Sequence, residues 1–159
     1  MHLFAIRQGA LCCIAALLLF GCVSTQLPVR HIEGYSPAVG DKAAATALTM
    51  VGRPYKYKGD SPSGFDCSGL VRYSYLTAGM NLPHGTGALR QHTRPVSDRD
   101  MSKGDLLFFN ESGKKYSHVG IYEGDNRFVH APSTGKRVCT DSLLDPYWKK
   151  HFLGARRFY

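Results

Sequence analysis

The sequence contains no apolar run long enough to cross a lipid bilayer as a helix. Its N-terminal apolar run, residues 9–20, would span about 18 Å as a helix, whereas the hydrocarbon core of a bilayer is about 30 Å thick. A run of that length behind the positive charge of Arg7 is typical of a signal peptide. We therefore expect residues 1–21 to be a signal peptide and the protein to be exported.

Acidic residues are also scarce. Asp and Glu together number 12 against 20 Lys and Arg, which gives a net charge of +8. A basic protein favours anionic partners, but an exported protein rarely meets nucleic acid, so we expect no nucleic-acid partner. An acidic cell wall or membrane surface is the candidate partner, with a generic basic surface as the equal alternative. The 159 residues show no internal repeat and suit one domain.

The end of the apolar run carries a further signal. Leu19-Phe20-Gly21-Cys22 resembles a bacterial lipobox, in which the cysteine becomes the lipidated first residue of the mature protein. The alternatives are an uncleaved anchor and an ordinary signal peptide. Since Val23 follows instead of an aspartate, the resemblance implies attachment to the outer membrane, facing the periplasm. Acyl chains on Cys22 would provide that membrane anchor.

The remaining chain divides into a tether and a domain. Residues 22–40 hold Cys22 and scattered Pro and Gly without periodicity, which indicates a tether. Residues 41–159 form the expected domain, with helices at 41–51, 67–78 and 87–92. Short β-branched and aromatic runs predict strands at 106–109, 119–122, 127–130, 137–139 and 155–159. Helices followed by strands predict an α+β fold, with N-terminal helices packed on one side of an antiparallel sheet.

Two cysteines belong to this domain. Cys12 and Cys13 leave with the signal peptide, so Cys67 and Cys139 remain in an oxidising compartment. Their spacing permits a disulfide. Cys139 lies in a predicted strand and is typical of an inert core thiol.

Cys67 has the context of a nucleophile. It is predicted at the first turn of a helix behind a Gly-containing loop, with Asp66 as the N-cap. Free N–H groups and the helix dipole at that position stabilise an anion, so we expect a lowered thiol pKa. Ser68 and Gly69 are small and leave room for a substrate.

A base for this thiol is available on the predicted strands. His118 begins one strand and His130 ends the next, so a hairpin would make them neighbours. One imidazole could deprotonate Cys67 while the other orients it, as in a papain-like triad. The alternative is a zinc site with two histidine nitrogens and the Cys67 sulfur as ligands.

A set of motifs in order carries a family resemblance. They are Pro54-Tyr55-Lys56-Tyr57, Gly64-Phe65-Asp66-Cys67-Ser68-Gly69-Leu70-Val71, Leu82-Pro83, Thr86, Gln91, Lys103-Gly104-Asp105-Leu106-Leu107-Phe108-Phe109, His118-Val119-Gly120-Ile121-Tyr122, Phe128-Val129-His130-Ala131 and Pro146-Tyr147-Trp148-Lys149-Lys150 with Ala155-Arg156-Arg157. Together they resemble the NlpC-type cell-wall cysteine peptidases, small lipoprotein members. The likeness covers nearly all of residues 41–159.

The resemblance implies a minimal papain-like α+β fold that hydrolyses the stem peptides of peptidoglycan. Cys67 matches the family's nucleophile, His118 its base and His130 its third, polar residue. By the same resemblance, Tyr55 would help to hold the oxyanion together with the Cys67 N–H. Asp66 and Ser68 match residues that bind the free amine or polar groups of the substrate. The implied enzyme needs no metal and no organic cofactor, and we expect a monomer.

The sequence also departs from the family pattern. Lys58 stands where the family usually has the first of two glycines, and His84 replaces an arginine after Leu-Pro. These changes bear on specificity. The scissile bond stays open between D-Glu–diaminopimelate and the D-Ala–diaminopimelate crosslink. The alternative functions are a non-catalytic wall-binding lipoprotein and an amidase or acyltransferase on the same fold.

Overall fold

The computed structural model describes residues 32–111, 113, 115–133 and 135–159. The helices are α1 (Pro37–Thr49), α2 (Cys67–Thr77), α3 (Thr86–Gln91) and α4 (Pro146–His151). The strands are β1 (Asp60–Ser61), β2 (Gly64–Phe65), β3 (Arg94–Val96), β4 (Leu106–Phe109), β5 (His118–Gly124), β6 (Arg127–His130), β7 (Cys139–Ser142) and β8 (Phe152–Arg157). The expected signal peptide and Cys22 lie outside the described residues. Among the described helices, none has the length and apolarity that a membrane span requires.

The main sheet is antiparallel, with the strand order β3-β8-β4-β5-β6-β7. Strands β5 and β6 form a tight hairpin, because Asp125 and Asn126 both adopt positive φ, at 50° and 58°. Two successive residues of that conformation match the twist of the flanking strands. The same hairpin brings the start of β5 beside the end of β6.

The sheet is covered on both faces. On β4, alternate residues face opposite ways, so Leu106 and Phe108 join the core beneath α1 and α2. Leu107 and Phe109 join a second cluster that includes Trp148 of α4. Sequence patterning predicted helices on one side only. The prediction missed α4, whose six residues are too few to show a helical period.

Helix α1 begins before the predicted domain boundary. Asp41 was expected to begin the helix, but Ser36 is the N-cap, its hydroxyl accepting a hydrogen bond from the Val39 N–H at 3.3 Å. Pro37 then occupies the first helical turn, where its fixed φ and missing N–H cost nothing. The last four residues of the predicted tether are therefore helical.

Candidate active site

Cys67 is the first residue of α2, where the sequence predicted it. Asp66 is the N-cap: its Oδ1 accepts hydrogen bonds from the Gly69 N–H at 2.7 Å and the Ser68 hydroxyl at 2.9 Å. His84 Nε2 lies 3.3 Å from the same oxygen. The side chain of Asp66 therefore fixes the helix start that presents the thiol.

The loop behind the thiol is packed backbone against backbone. A Cβ atom on Gly69 would lie 1.9 Å from the carbonyl oxygen of Gly59, so only glycine fits there. The Gly59 oxygen also accepts a hydrogen bond from the Asp66 N–H at 2.9 Å. Lys58 has a φ of 55°, the left-handed region that a glycine adopts without strain. That conformation explains why a glycine is usual at this position.

The electrostatics of Cys67 differ from the expectation. Burial raises the pKa of the thiol to about 12, and the charge of Asp66 adds to the rise. The backbone N–H groups of Val119, on β5, and of Ser68, at the start of α2, lower it, but by less than burial raises it. Only the Ser68 contribution comes from the helix terminus. The prediction of a lowered thiol pKa is therefore wrong for the resting protein, in which Cys67 is protonated.

Tyr55, Cys67 and His118 line one cavity. Its other lining residues are Glu111, Ser117, Pro132, Ser133, Lys136 and Tyr147. Burial raises the pKa of Tyr55, and the neighbouring Cys67 and Asp66 add to the rise. The Tyr55 hydroxyl thus keeps its proton and can donate a hydrogen bond into the cavity.

His118 and His130 lie together beneath this cavity, as the hairpin argument predicted. His118 Nε2 is 2.8 Å from His130 Nδ1, and the two side chains are 2% and 0% exposed. His130 Nδ1 is thus engaged by the second ring, which disfavours the zinc arrangement joining both rings to Cys67. Among the described residues, Cys67 and Cys139 are both free thiols.

Asp141 was not predicted from the sequence as a site residue. Its Oδ2 lies 2.9 Å from His130 Nε2 and accepts a hydrogen bond from the Trp148 indole N–H, also at 2.9 Å. These hydrogen bonds, His130 foremost, lower the pKa of Asp141. The predicted strand ended at Cys139, whereas β7 continues to Ser142. Extending the alternation by two residues would have placed Asp141 on the face of Cys139.

A second carboxylate, Glu111, contacts the Nδ1 nitrogen of His118. Glu111 Oε2 lies 3.2 Å from His118 Nδ1, and the Tyr147 hydroxyl donates to Glu111 Oε1 at 3.3 Å. Glu111 follows strand β4 by two residues and belongs to no motif, so no sequence pattern marks it as a site residue.

The number of protons on the two imidazoles determines which hydrogen bonds can form between Glu111 and Asp141. Three hydrogen-bond links join Glu111, His118, His130 and Asp141, and a pair of imidazoles that shares two protons supplies N–H groups for only two of them. Burial, and next the neighbouring His130, lowers the pKa of His118 to about 3, so the resting His118 ring is neutral. If Asp141 and His130 take the two available N–H groups, His118 Nδ1 keeps a free lone pair. A third proton, on His118 Nδ1, would supply the remaining hydrogen bond, to Glu111.

A solved structure is similar to most of this fold. A structure from Staphylococcus aureus, described as similar to lipoprotein, NLP/P60 family, superposes with a TM-score of 0.69 at 34% identity, over 80% of this chain and 43% of that chain. The fold is accordingly the papain-like α+β fold that the sequence resemblance implied.

Curated relatives agree with that structure. Murein DD-endopeptidase MepH of Escherichia coli is 38% identical over 116 residues, 69% of this chain and 42% of MepH. Peptidoglycan DL-endopeptidase CwlO of Bacillus licheniformis is 40% identical over 126 residues, 74% of this chain and 27% of CwlO. The alignment thus spans less than half of either relative. The sequence profile of the NlpC/P60 family matches residues 52–157, and the chain belongs to this family.

Proposed function

We propose that the protein is a peptidoglycan endopeptidase that hydrolyses stem-peptide bonds with Cys67 as its nucleophile. The observation that carries the proposal is the buried pair of His118 and His130, with His118 Nε2 at 2.8 Å from His130 Nδ1. His118 also lines one cavity with Cys67. A nucleophile, a base and a group that orients the base are the parts that acyl transfer requires. The names of MepH and CwlO support the same reaction class.

The first step follows from the resting protonation states. Since Cys67 is a thiol and His118 is neutral, proton transfer to His118 Nδ1 accompanies attack of the sulfur on the amide carbonyl. A C–S bond forms and the carbonyl becomes a tetrahedral oxyanion. The His118 imidazolium then has a hydrogen-bond partner on each side, Glu111 and His130, so all three hydrogen bonds between Glu111 and Asp141 can form.

The oxyanion is stabilised by donors around the thiol. Tyr55 supplies a protonated hydroxyl that lines the cavity, and the Cys67 backbone N–H is a second donor at the free start of α2. The imidazolium then protonates the leaving amine as the C–N bond breaks. Water, activated by the same His118, hydrolyses the thioester and restores the thiol. These steps call for no metal or organic cofactor.

Substrate binding is assigned to the start of α2. Asp66 and Ser68 are buried beside Cys67, and we propose that they hold the free amine or polar groups of the stem peptide. The scissile bond is either D-Glu–diaminopimelate or the D-Ala–diaminopimelate crosslink. The relatives include a DD-endopeptidase and a DL-endopeptidase, so mass spectrometry of products from defined muropeptides decides between the bonds.

The proposed location is the periplasmic face of the outer membrane, with Cys22 lipidated, residues 1–21 removed and the protein monomeric. The lipobox-like sequence and the Val23 that follows it support this location. Labelled palmitate should enter the wild type and not Cys22→Ser, and only the wild type should fractionate with outer membranes. Equal labelling of both proteins would contradict the anchor.

The decisive experiment for the function uses purified wall sacculi. The wild type should release muropeptides, and Cys67→Ala, with its fold verified by circular dichroism, should release none. Equal release by both proteins, or by neither, would overturn the hydrolase. Products that lack the whole stem peptide would show an amidase instead.

A further inference from the structure

His130 lies close to two further side chains, Cys139 and Asp141, of residue types that can bind a metal ion. His130 and Cys139 are directly paired across β6 and β7, and Asp141 follows Cys139 by two residues on the same face of β7. Their donor atoms all lie within 4.8 Å of one another. Cys139 Sγ is 3.4 Å from His130 Nε2, and Asp141 Oδ2 is 2.9 Å from the same nitrogen.

These separations are close to those of a tetrahedral zinc site. Zinc bonds of ordinary length would place nitrogen and oxygen ligands about 3.3 Å apart, and sulfur and nitrogen ligands about 3.6 Å apart. The nitrogen–oxygen and sulfur–nitrogen pairs therefore need to spread by only a few tenths of an ångström, and the sulfur and oxygen donors lie within 4.8 Å of each other. Because paired strands hold all three, the set is largely preorganised. A thiolate among the donors favours Zn²⁺ over Mg²⁺ or Ca²⁺.

The group is open to solvent on one side. His130 is fully buried, but the side chain of Asp141 is 40% exposed. Cys139 and Asp141 line a cavity together with Glu111 and Lys136, which carry opposite charges. A cation can therefore reach the donors, and a water molecule can occupy the fourth coordination position.

We propose that His130, Cys139 and Asp141 form an inhibitory Zn²⁺ site. The metal takes His130 Nε2 as a ligand, replaces its hydrogen bond to Asp141 and displaces the Cys139 thiol proton. The ligand set shares only His130 with the triad, and Cys67 takes no part in it. Metal binding is independent of the proposed function, whereas inhibition rests on it.

Inhibition follows from the protons on His130. A metal on Nε2 leaves the ring proton on Nδ1, the atom that faces His118 Nε2 at 2.8 Å. His118 Nε2 must then accept that hydrogen bond, so the proton of His118 moves to Nδ1. The nitrogen that should take the thiol proton is thereby occupied. Zinc thus blocks the base without touching the nucleophile.

Binding is tested on proteins that cannot turn over substrate. The full chain carrying Cys67→Ala, in detergent micelles, is titrated with ZnCl₂ by isothermal titration calorimetry, beside Cys67→Ala with Cys139→Ala. One equivalent more should bind to the first protein than to the second. Any of Cys12, Cys13 and Cys22 that the purified protein retains as a thiol is common to both variants and cancels. Equal binding would overturn the site, whatever the outcome for hydrolysis.

Inhibition is tested by muropeptide release with Zn²⁺ and with excess EDTA, each protein normalised to its own EDTA rate. Zinc should lower the wild-type rate at least tenfold, reversibly, and Cys139→Ala should lose most of that sensitivity. The matched control is Thr140→Ala, the next residue on β7, which should stay as sensitive as the wild type. Undiminished inhibition of Cys139→Ala would place the metal on the Cys67–His118 pair and overturn the proposal.

Discussion

His118 Nε2 lies 2.8 Å from His130 Nδ1, so the tautomer of one buried ring dictates that of the other. If His130 carries its proton on Nε2, towards Asp141, its Nδ1 accepts the N–H of His118. The lone pair on His118 Nδ1 is then free for the thiol proton.

The role of His130 can be separated from its bulk. His130→Ala should lower kcat about a hundredfold, because His118 loses the acceptor that holds its orientation. In His130→Asn the amide oxygen takes the place of Nδ1, and much of that loss should be recovered. The measurement is steady-state hydrolysis of a defined muropeptide, with thermal melts to verify folding. Equal kcat for the two variants would contradict a hydrogen-bonding role.

Asp141 should act through His130. Asp141→Asn removes the charge that fixes the proton on Nε2, and kcat should fall about tenfold with little change in KM. Nitrogen NMR of labelled histidine should show the Nδ1–H tautomer of His130 gaining population. A variant with unchanged tautomers and unchanged kcat would remove Asp141 from the site.

Glu111 should stabilise the imidazolium formed during attack. Glu111→Gln keeps the shape of the side chain that contacts His118 Nδ1 but removes its charge, and kcat should fall about tenfold, or about 1.4 kcal/mol. Tyr147→Phe is the matched control, because it removes the hydroxyl bond to Glu111 and leaves that charge in place. An equal loss in both variants would attribute the effect to positioning alone.

Acidification should lower the stability of the fold because of His118. The unfolded chain binds this proton near pH 6.5, whereas burial lowers the folded pKa to about 3. Between these values the unfolded state binds more protons, so the free energy of unfolding rises with pH. Acidification from pH 7 to pH 5 should cost about 2 kcal/mol from this group. Urea unfolding should show that dependence in the wild type and less of it in His118→Gln; parallel curves would contradict it.

The approach of α2 to the preceding loop should not tolerate a methyl group. Gly69→Ala places a Cβ atom 1.9 Å from the Gly59 oxygen and should destabilise the fold by about 2 kcal/mol or more. Gly87→Ala in α3 meets nothing within 4 Å and should be neutral or stabilising by up to about 1 kcal/mol. Chemical denaturation measures the stability of both variants. Similar unfolding midpoints would show that the loop around Gly59 moves to accommodate the methyl group.

Much of the site followed from local chemistry. Asp66 is a good N-cap and Cys67 follows it, so a helix start could be placed within a residue. The β5–β6 hairpin could be placed because its turn residues lie between two β-rich runs. That turn alone brings His118 beside His130. These features depend on neighbours in sequence, which a sequence pattern contains.

The rest depended on packing between distant segments. Asp141 belongs to the site only because β7 pairs with β6, and Glu111 only because the segment after β4 passes His118. The pKa of Cys67 was misjudged because burial, a tertiary property, outweighs the local helix terminus. Arg94–Val96 was missed as a strand, since its Pro95 and exposed neighbours give no alternation.

The position of β8 sets an order of events for the folding chain. Residues 152–157 lie between β3 and β4, so β3 has no partner strand and β4 has only β5 until this segment is present. A chain that emerges from its N-terminus cannot close the sheet while it is incomplete. Loss of those six residues would leave two unpaired strand edges, which are prone to aggregate.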